Sequence, residues 1–268
     1  MTTTFRSLLA ATALAGAFVA APAFADETAA PGDITISGSA TIASQYRFRG
    51  LSQSDNEPVI QGSITAKHAS GLYVGTWGSS ASSANFATTP IDIGGTEIDV
   101  FGGYAHEFAD MGLTADVGVY GYLYPAATGG NYYEVYGSLA KSYGPVTAKV
   151  GVYYAPAQKV FTNLGSTTRN NTYVYGDLSS AIPGTPLTLH GHIGHSGGGF
   201  NYAKQYMDFS AGVGYTWKML TLDASVVGTN IGKGTVDSAF GCAAVGPCVD
   251  YFYRPAKTVG VVTLTAAF

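Results

Sequence analysis

Apolar and polar residues alternate along most of this chain with a period of two. Ile34, Ile36, Ala40, Ile42, Tyr46 and Phe48 fall on one side of the first such segment. Thr35, Ser37, Ser39, Thr41, Gln45, Arg47 and Arg49 fall on the other. A period of two marks a strand whose two faces meet different surroundings. Twelve strands are predicted, over 34–50, 59–69, 72–80, 96–108, 113–125, 132–143, 146–155, 171–182, 187–197, 205–217, 220–230 and 258–268. Connections after the even-numbered strands are tight and carry turn residues, as in Ala69-Ser70-Gly71, Gly144-Pro145 and Pro183-Gly184-Thr185-Pro186. Those after the odd-numbered strands are longer and rich in Gly, Ser, Thr and Asn. Tight turns at one end and long loops at the other predict antiparallel neighbours in an up-and-down order.

The polar face decides between a soluble sheet and a membrane barrel. Ile98, Val100, Tyr104 and Phe108 oppose Glu97, Asp99 and Glu107; Met207, Phe209, Val213, Tyr215 and Trp217 oppose Asp208, Ser210 and Thr216. Leu220, Leu222, Ala224 and Val226 oppose Thr221, Asp223 and Ser225, and Leu187, Leu189 and Ile193 oppose Thr188, His190 and His192. A barrel in lipid sets the apolar face outward and the polar face on its lumen, and closes so that no backbone edge is left unpaired in hydrocarbon. The expected fold is therefore an all-β, transmembrane, antiparallel up-and-down β-barrel of about twelve strands. Lys141 and His106 fall on the outer face near the short-turn end, where a lysine can snorkel. Strand 72–80 leaves its parity open. Outward aromatics gather near strand ends, Phe48 and Tyr154 at one and Phe108, Tyr143, Trp217 and Phe268 at the other, as interfacial girdles do. The last strand, with Val262, Leu264, Ala266 and a terminal Phe268 on one face, resembles the sorting signal of bacterial outer-membrane barrels.

Composition adds to this picture. Charged residues are only 11% of the chain, while Gly (36) and Tyr (19) are abundant, which suits a sheet with one face in lipid. The formal net charge is −4 and no basic patch occurs, so nucleic acid is not an expected partner. Met1 to Ala25 reads as a cleaved signal peptide, with Arg6, an apolar run from Leu8 to Ala21 and the site Ala23-Phe24-Ala25. Residues 26–268 are expected to form one barrel domain. Cys242 and Cys248 lie in a long glycine-rich loop of an exported chain, where a disulfide is expected; no histidine lies nearby to complete a metal site.

The predicted lumen carries Asp99, Asp116, Glu134, Asp177, Asp208 and Asp223 opposite Arg47, Arg49, Lys67 and Lys149, with His190 and His192. Opposed charges of this kind set the ion preference of a pore; they can equally form a salt-bridged plug. Arg47 and Arg49 share a face near the long-loop mouth, and carboxylates are their first expected partners, solutes the second. A Ser-His hydrolase is the catalytic alternative, with Ser196 beside His190 or His192 and Asp177 or Asp208 as the orienting acid. No G-x-S-x-G elbow occurs, and no cofactor, metal or enzymatic activity is expected.

The segment Tyr46-Arg47-Phe48-Arg49-Gly50-Leu51-Ser52-Gln53-Ser54, followed by Pro58 and Gln61-Gly62, together with Gly71-Leu72-Tyr73-Val74-Gly75-Thr76-Trp77-Gly78-Ser79, resembles the TorF-type porins of Gram-negative bacteria. The resemblance implies an outer-membrane barrel with a porin role and assigns no catalytic residue. The expected function is passive diffusion of small hydrophilic solutes or ions, with both termini periplasmic. A structural or adhesive barrel with partner-binding loops, such as Phe200-Asn201-Tyr202 and Tyr251-Phe252-Tyr253, is the main alternative. The expected partners are outer-membrane lipids, lipopolysaccharide, the barrel-assembly machinery and the solutes themselves, with the oligomeric state open.

Overall fold

The computed structural model describes residues 33–82, 94–242 and 246–268; the expected signal peptide, residues 1–25, lies outside them. Fourteen strands follow one another: β1 (Ile34–Ala43), β2 (Arg47–Phe48), β3 (Leu51–Ser52), β4 (Val59–His68), β5 (Leu72–Ser80), β6 (Thr96–Phe108), β7 (Leu113–Leu123), β8 (Tyr132–Tyr143), β9 (Val146–Ala155), β10 (Asn171–Ala181), β11 (Leu187–Gly198), β12 (Tyr206–Trp217), β13 (Leu220–Thr229) and β14 (Val259–Ala267). Twelve of them, all but β2 and β3, form one closed antiparallel barrel in sequence order. Closure joins β1 to β14, with Ser39 opposite Ala267 and Ala43 opposite Thr263. Gly38 and Phe268 exchange both backbone hydrogen bonds across that seam, at 2.8 and 3.0 Å.

The tight connections all lie at one end of the barrel. Gly71 shows why one of them needs its residue: φ is +101°, and a Cβ there would lie 2.3 Å from the carbonyl oxygen of Ala105. The described chain ends lie at the same end, since Ala69 N–H bonds Asp33 and Ala267 N–H bonds Met219.

The two faces sort as the alternation predicts. Ile36, Val74, Val150 and Leu222 point outward and are exposed, while Asp99, Glu134, Asp208 and Asp223 point inward and are buried. An exposed apolar surface of this extent is not that of a soluble monomer; it is the jacket a barrel presents to hydrocarbon. Strand β5 also resolves its parity, with Leu72 and Val74 outside and Tyr73 and Trp77 inside. Tyr143, Trp217 and Phe268 are exposed near the short-turn end as expected.

The interior is packed largely with tyrosine. Tyr73, Tyr120, Tyr122, Tyr136, Tyr153 and Tyr173 form one buried cluster with Phe101 and Phe161. Inward glycines make room for these rings. A Cβ on Gly194 would lie 2.1 Å from the Tyr173 hydroxyl, one on Gly151 2.6 Å from Tyr175, and one on Gly118 2.5 Å from the Tyr136 hydroxyl. The abundance of glycine and tyrosine thus reflects pairing inside the barrel, where each ring covers a residue that has no side chain.

One expectation fails in the first strand. Its alternation continues to Arg49, but β1 ends at Ala43 and residues 44–57 turn into the lumen. There β2 and β3 pair as a two-residue hairpin turned by Arg49 (φ 49°) and Gly50 (φ 77°). Tyr46 and Phe48 are therefore not on the lipid face: Tyr46 is buried against Trp77, and Phe48 packs edge-on to Tyr122 at 5.6 Å. Short helices also occupy connections read as loops: α1 (Lys159–Asn163), α2 (Lys233–Phe240) and α3 (Pro247–Tyr253). The Cys242–Cys248 disulfide joins the segment after α2 to α3.

Candidate functional site: the barrel lumen

Every strand contributes its inward face to the lumen, so the site residues are positioned by parity alone. Lys67 (β4), Asp99 (β6), Asp116 (β7), Glu134 (β8), Lys149 (β9), Asp177 (β10), His190 and His192 (β11), Asp208 (β12) and Asp223 (β13) all point inward. Arg47 and Arg49 also reach the lumen, carried there by the infolded hairpin rather than by the barrel wall.

The long-loop half of the barrel is closed. Arg49 crosses it, donating to Glu134 Oε2 at 2.5 Å while its guanidinium lies 4.3 Å from the centre of the Tyr173 ring and 4.7 Å from that of Phe48. Tyr122 donates to the same carboxylate at 3.0 Å. Arg47 has no carboxylate partner among the described residues, against the sequence-based expectation. It donates to Gln45 Oε1 at 2.8 Å, to the Pro255 carbonyl at 2.5 Å, to the Gly50 carbonyl at 3.2 Å and to Asn56 Oδ1. An ion pair between Asp55 and Arg254 ties the hairpin to the loop before β14 a second time.

Beneath the hairpin the lumen is open. A cavity of about 290 Å³ runs from Arg47 and Arg49 to Lys67, Thr114 and Thr147 near the short turns. His192 spans part of its wall, with Nδ1 2.6 Å from Asp177 and Nε2 3.1 Å from Asp208. His190 Nε2 lies 2.6 Å from Asp223, which also accepts from Ser225 at 2.5 Å. Tyr73 donates to Asp116 at 2.6 Å. Lys149 stands opposite Asp177 in the β9–β10 register without forming an ion pair, and Lys67 has none either among the described residues.

The hydrolase constellation does not assemble. Ser196 is buried and bonded by Asn171 at 3.5 Å, away from both histidines. Both ring nitrogens of His192 face carboxylates, and Asp223 lies against both His190 and Ser225. A nucleophile needs the base beside it and the acid behind the base; Ser196, the serine expected in that role, is bonded to Asn171 instead. No group of three or more His, Cys, Asp or Glu that could hold a metal ion occurs among the described residues.

Two features stand outside the lumen set named from the sequence, although parity already put Glu97 on the polar face. Glu97 lies two residues before Asp99 on the same inward face, is 1% exposed, and accepts from the Tyr46 hydroxyl at 3.2 Å. The lumen tyrosines were legible by parity, because Tyr120 and Tyr122 share the face of Asp116, and Tyr173 and Tyr175 that of Asp177.

A closed twelve-stranded barrel with an apolar jacket and a charged, tyrosine-rich lumen is a porin-like barrel. The chain belongs to the Gcw_chp family, described as bacterial proteins of unknown function, whose pattern matches residues 26–259. No curated protein sequence matches it. Among solved structures it is similar to the NanC porin, at 11% identity over 87% of this chain and 99% of that one, with a TM-score of 0.54. It is also similar to an active-site mutant of outer membrane phospholipase A from Escherichia coli, at 11% identity over 90% and 92% with a TM-score of 0.48, and to a porin at 9% identity over 88% and 100% with a TM-score of 0.42. At such identities the likeness is one of fold.

Proposed function

We propose that this protein is a narrow outer-membrane channel of the porin type, passing small hydrophilic solutes or ions, with hairpin 44–57 as its constriction. The observation that carries the reading is the cavity of about 290 Å³, lined in part by charged side chains, that runs inside an apolar-jacketed barrel from the short-turn end up to Arg47 and Arg49. In this reading the short turns and both termini are periplasmic, and the helical loops meet lipopolysaccharide at the cell surface. Phe268, whose backbone seals the β1–β14 seam, is the residue the barrel-assembly machinery would engage. The TorF-type porin role agrees with this assignment. The reading assigns no catalytic step to the lumen.

The test is current through planar bilayers containing refolded protein. Small discrete steps are expected, with a reversal potential on the cation side, since lumen carboxylates outnumber lumen cations. Replacing residues 47–54 with a short Gly-Ser linker should enlarge the steps. No current from either protein, both shown folded by heat-modifiable gel mobility, would overturn the channel.

That outcome would favour a structural or adhesive barrel. One observation supports this second reading: the outer half is filled, and its loops are packed, with Phe200 on Tyr132 at 4.6 Å and Phe252 stacked on Phe240 at 4.6 Å.

A further inference from the structure

The cavity beneath the hairpin is bordered by charges of both signs, and its two lysines, Lys67 and Lys149, make no ion-pair contact among the described residues. Lys149 rests 5.8 Å from the centre of the Tyr175 ring. Among the described residues Asp116 accepts the Tyr73 hydroxyl through one oxygen. Asp208 is 2% exposed; its Oδ1 accepts from Tyr173 and faces His192, both at 3.1 Å, while its Oδ2 has no hydrogen-bond partner among the described residues. Arg49 meets Glu134, and His192 meets Asp177 and one oxygen of Asp208.

Leaving an ammonium or a carboxylate unpaired in a confined space is costly, and the cost falls when a ligand brings the missing partner. A simple anion entering this cavity meets Asp116, Asp177 and Asp208. A simple cation meets Lys67 and Lys149. Only a solute carrying both signs a short distance apart relieves both sets at once. Beside the charges lies a stacked face, with the His192 ring 6.4 Å from Tyr173 and 6.0 Å from Tyr175 at interplanar angles of 20° and 24°.

We propose that the lumen cavity is a binding site for a small zwitterion of the α-amino-acid type. Its carboxylate meets Lys67 or Lys149, its ammonium meets Asp208 or Asp116, and its side chain lies along the Tyr173–His192–Tyr175 face. Entry is from the short-turn end, where the cavity reaches Thr114 and Thr147. The inference rests on reading the lumen as a solute path and names the class of solute.

Trp77 borders the cavity, whereas Trp217, the second of two tryptophans, faces outward. A Trp217→Phe barrel in detergent therefore reports on the cavity through Trp77 emission. Glutamine is titrated as the zwitterion, with acetate, ethylammonium and glucose as anionic, cationic and neutral controls. A saturable change with glutamine is expected, at least about tenfold tighter than with any control. Lys149→Gln and Asp208→Asn should each weaken it by about fivefold or more while keeping heat-modifiable mobility, with Lys67→Gln in reserve should either fail to fold. No saturable response to glutamine, an equal response to a control, or unchanged affinity in the folded variants overturns the proposal. Glutamine binding without bilayer current leaves it standing and removes the channel; current without glutamine binding removes the proposal alone.

Discussion

The Arg49 guanidinium and the Glu134 carboxylate meet at 2.5 Å across the inside of the barrel, joining the infolded hairpin to strand β8. Their side chains are 5% and 0% exposed. Removing one member of a pair this deeply buried strands the other charge and costs about 3–5 kcal/mol. Arg49→Ala and Glu134→Gln should each lower the denaturation midpoint in urea and make the hairpin sensitive to protease. The double variant should be less harmed than the two single losses together, because neither charge is then left alone. Simple additivity would show that the pair does not latch the hairpin.

Glycine and tyrosine act jointly inside the wall. Gly151→Ala places a methyl 2.6 Å from the Tyr175 ring and should cost about 1–3 kcal/mol through overpacking. Gly176→Ala on the neighbouring strand, where the nearest atom is 3.8 Å away, should change stability by less than about 0.5 kcal/mol. Equilibrium folding into lipid vesicles measures both, and equal effects would count against the pairing.

The outward face can be tested for contact with lipid. Val150→Arg, at an exposed position in the middle of β9, should cost about 2–4 kcal/mol in vesicles. Thr147→Lys, inward and near the short turns, should cost little. A harmless Val150→Arg would mean that the jacket does not meet hydrocarbon.

The disulfide belongs to the loops and not to the barrel. Reducing Cys242–Cys248, a sequence separation of 6, removes about 2 kcal/mol of local constraint on the α2–α3 cap. Cleavage within residues 231–257 by added protease should accelerate, while the heat-modifiable mobility of the barrel should persist. Loss of that mobility would place the staple in the barrel's own stability.

The alternation carried far because strand parity is a local property. Ile98 against Asp99, or Phe209 against Asp208, needs no knowledge of a neighbour to sort between two faces, and turn residues such as Gly71 announce where pairing reverses. Strand count, register direction, jacket and lumen were therefore readable from the chain. Residues 44–57 were not. Tyr46 and Phe48 keep the outward parity of β1, and only contacts from far along the chain, with Glu134, Trp77 and the Pro255 carbonyl, draw them inside. Arg49-Gly50 was the one local hint, a pair able to take two positive φ angles in a tight turn. The meeting of Arg49 with Glu134, the bonding of Arg47 to the Pro255 carbonyl, and the seating of Tyr173 over Gly194 depend on which elements lie across the lumen. Sequence alternation set each side chain's face; closure of the barrel set its partner, because only a closed wall brings residues scores of positions apart into one narrow space.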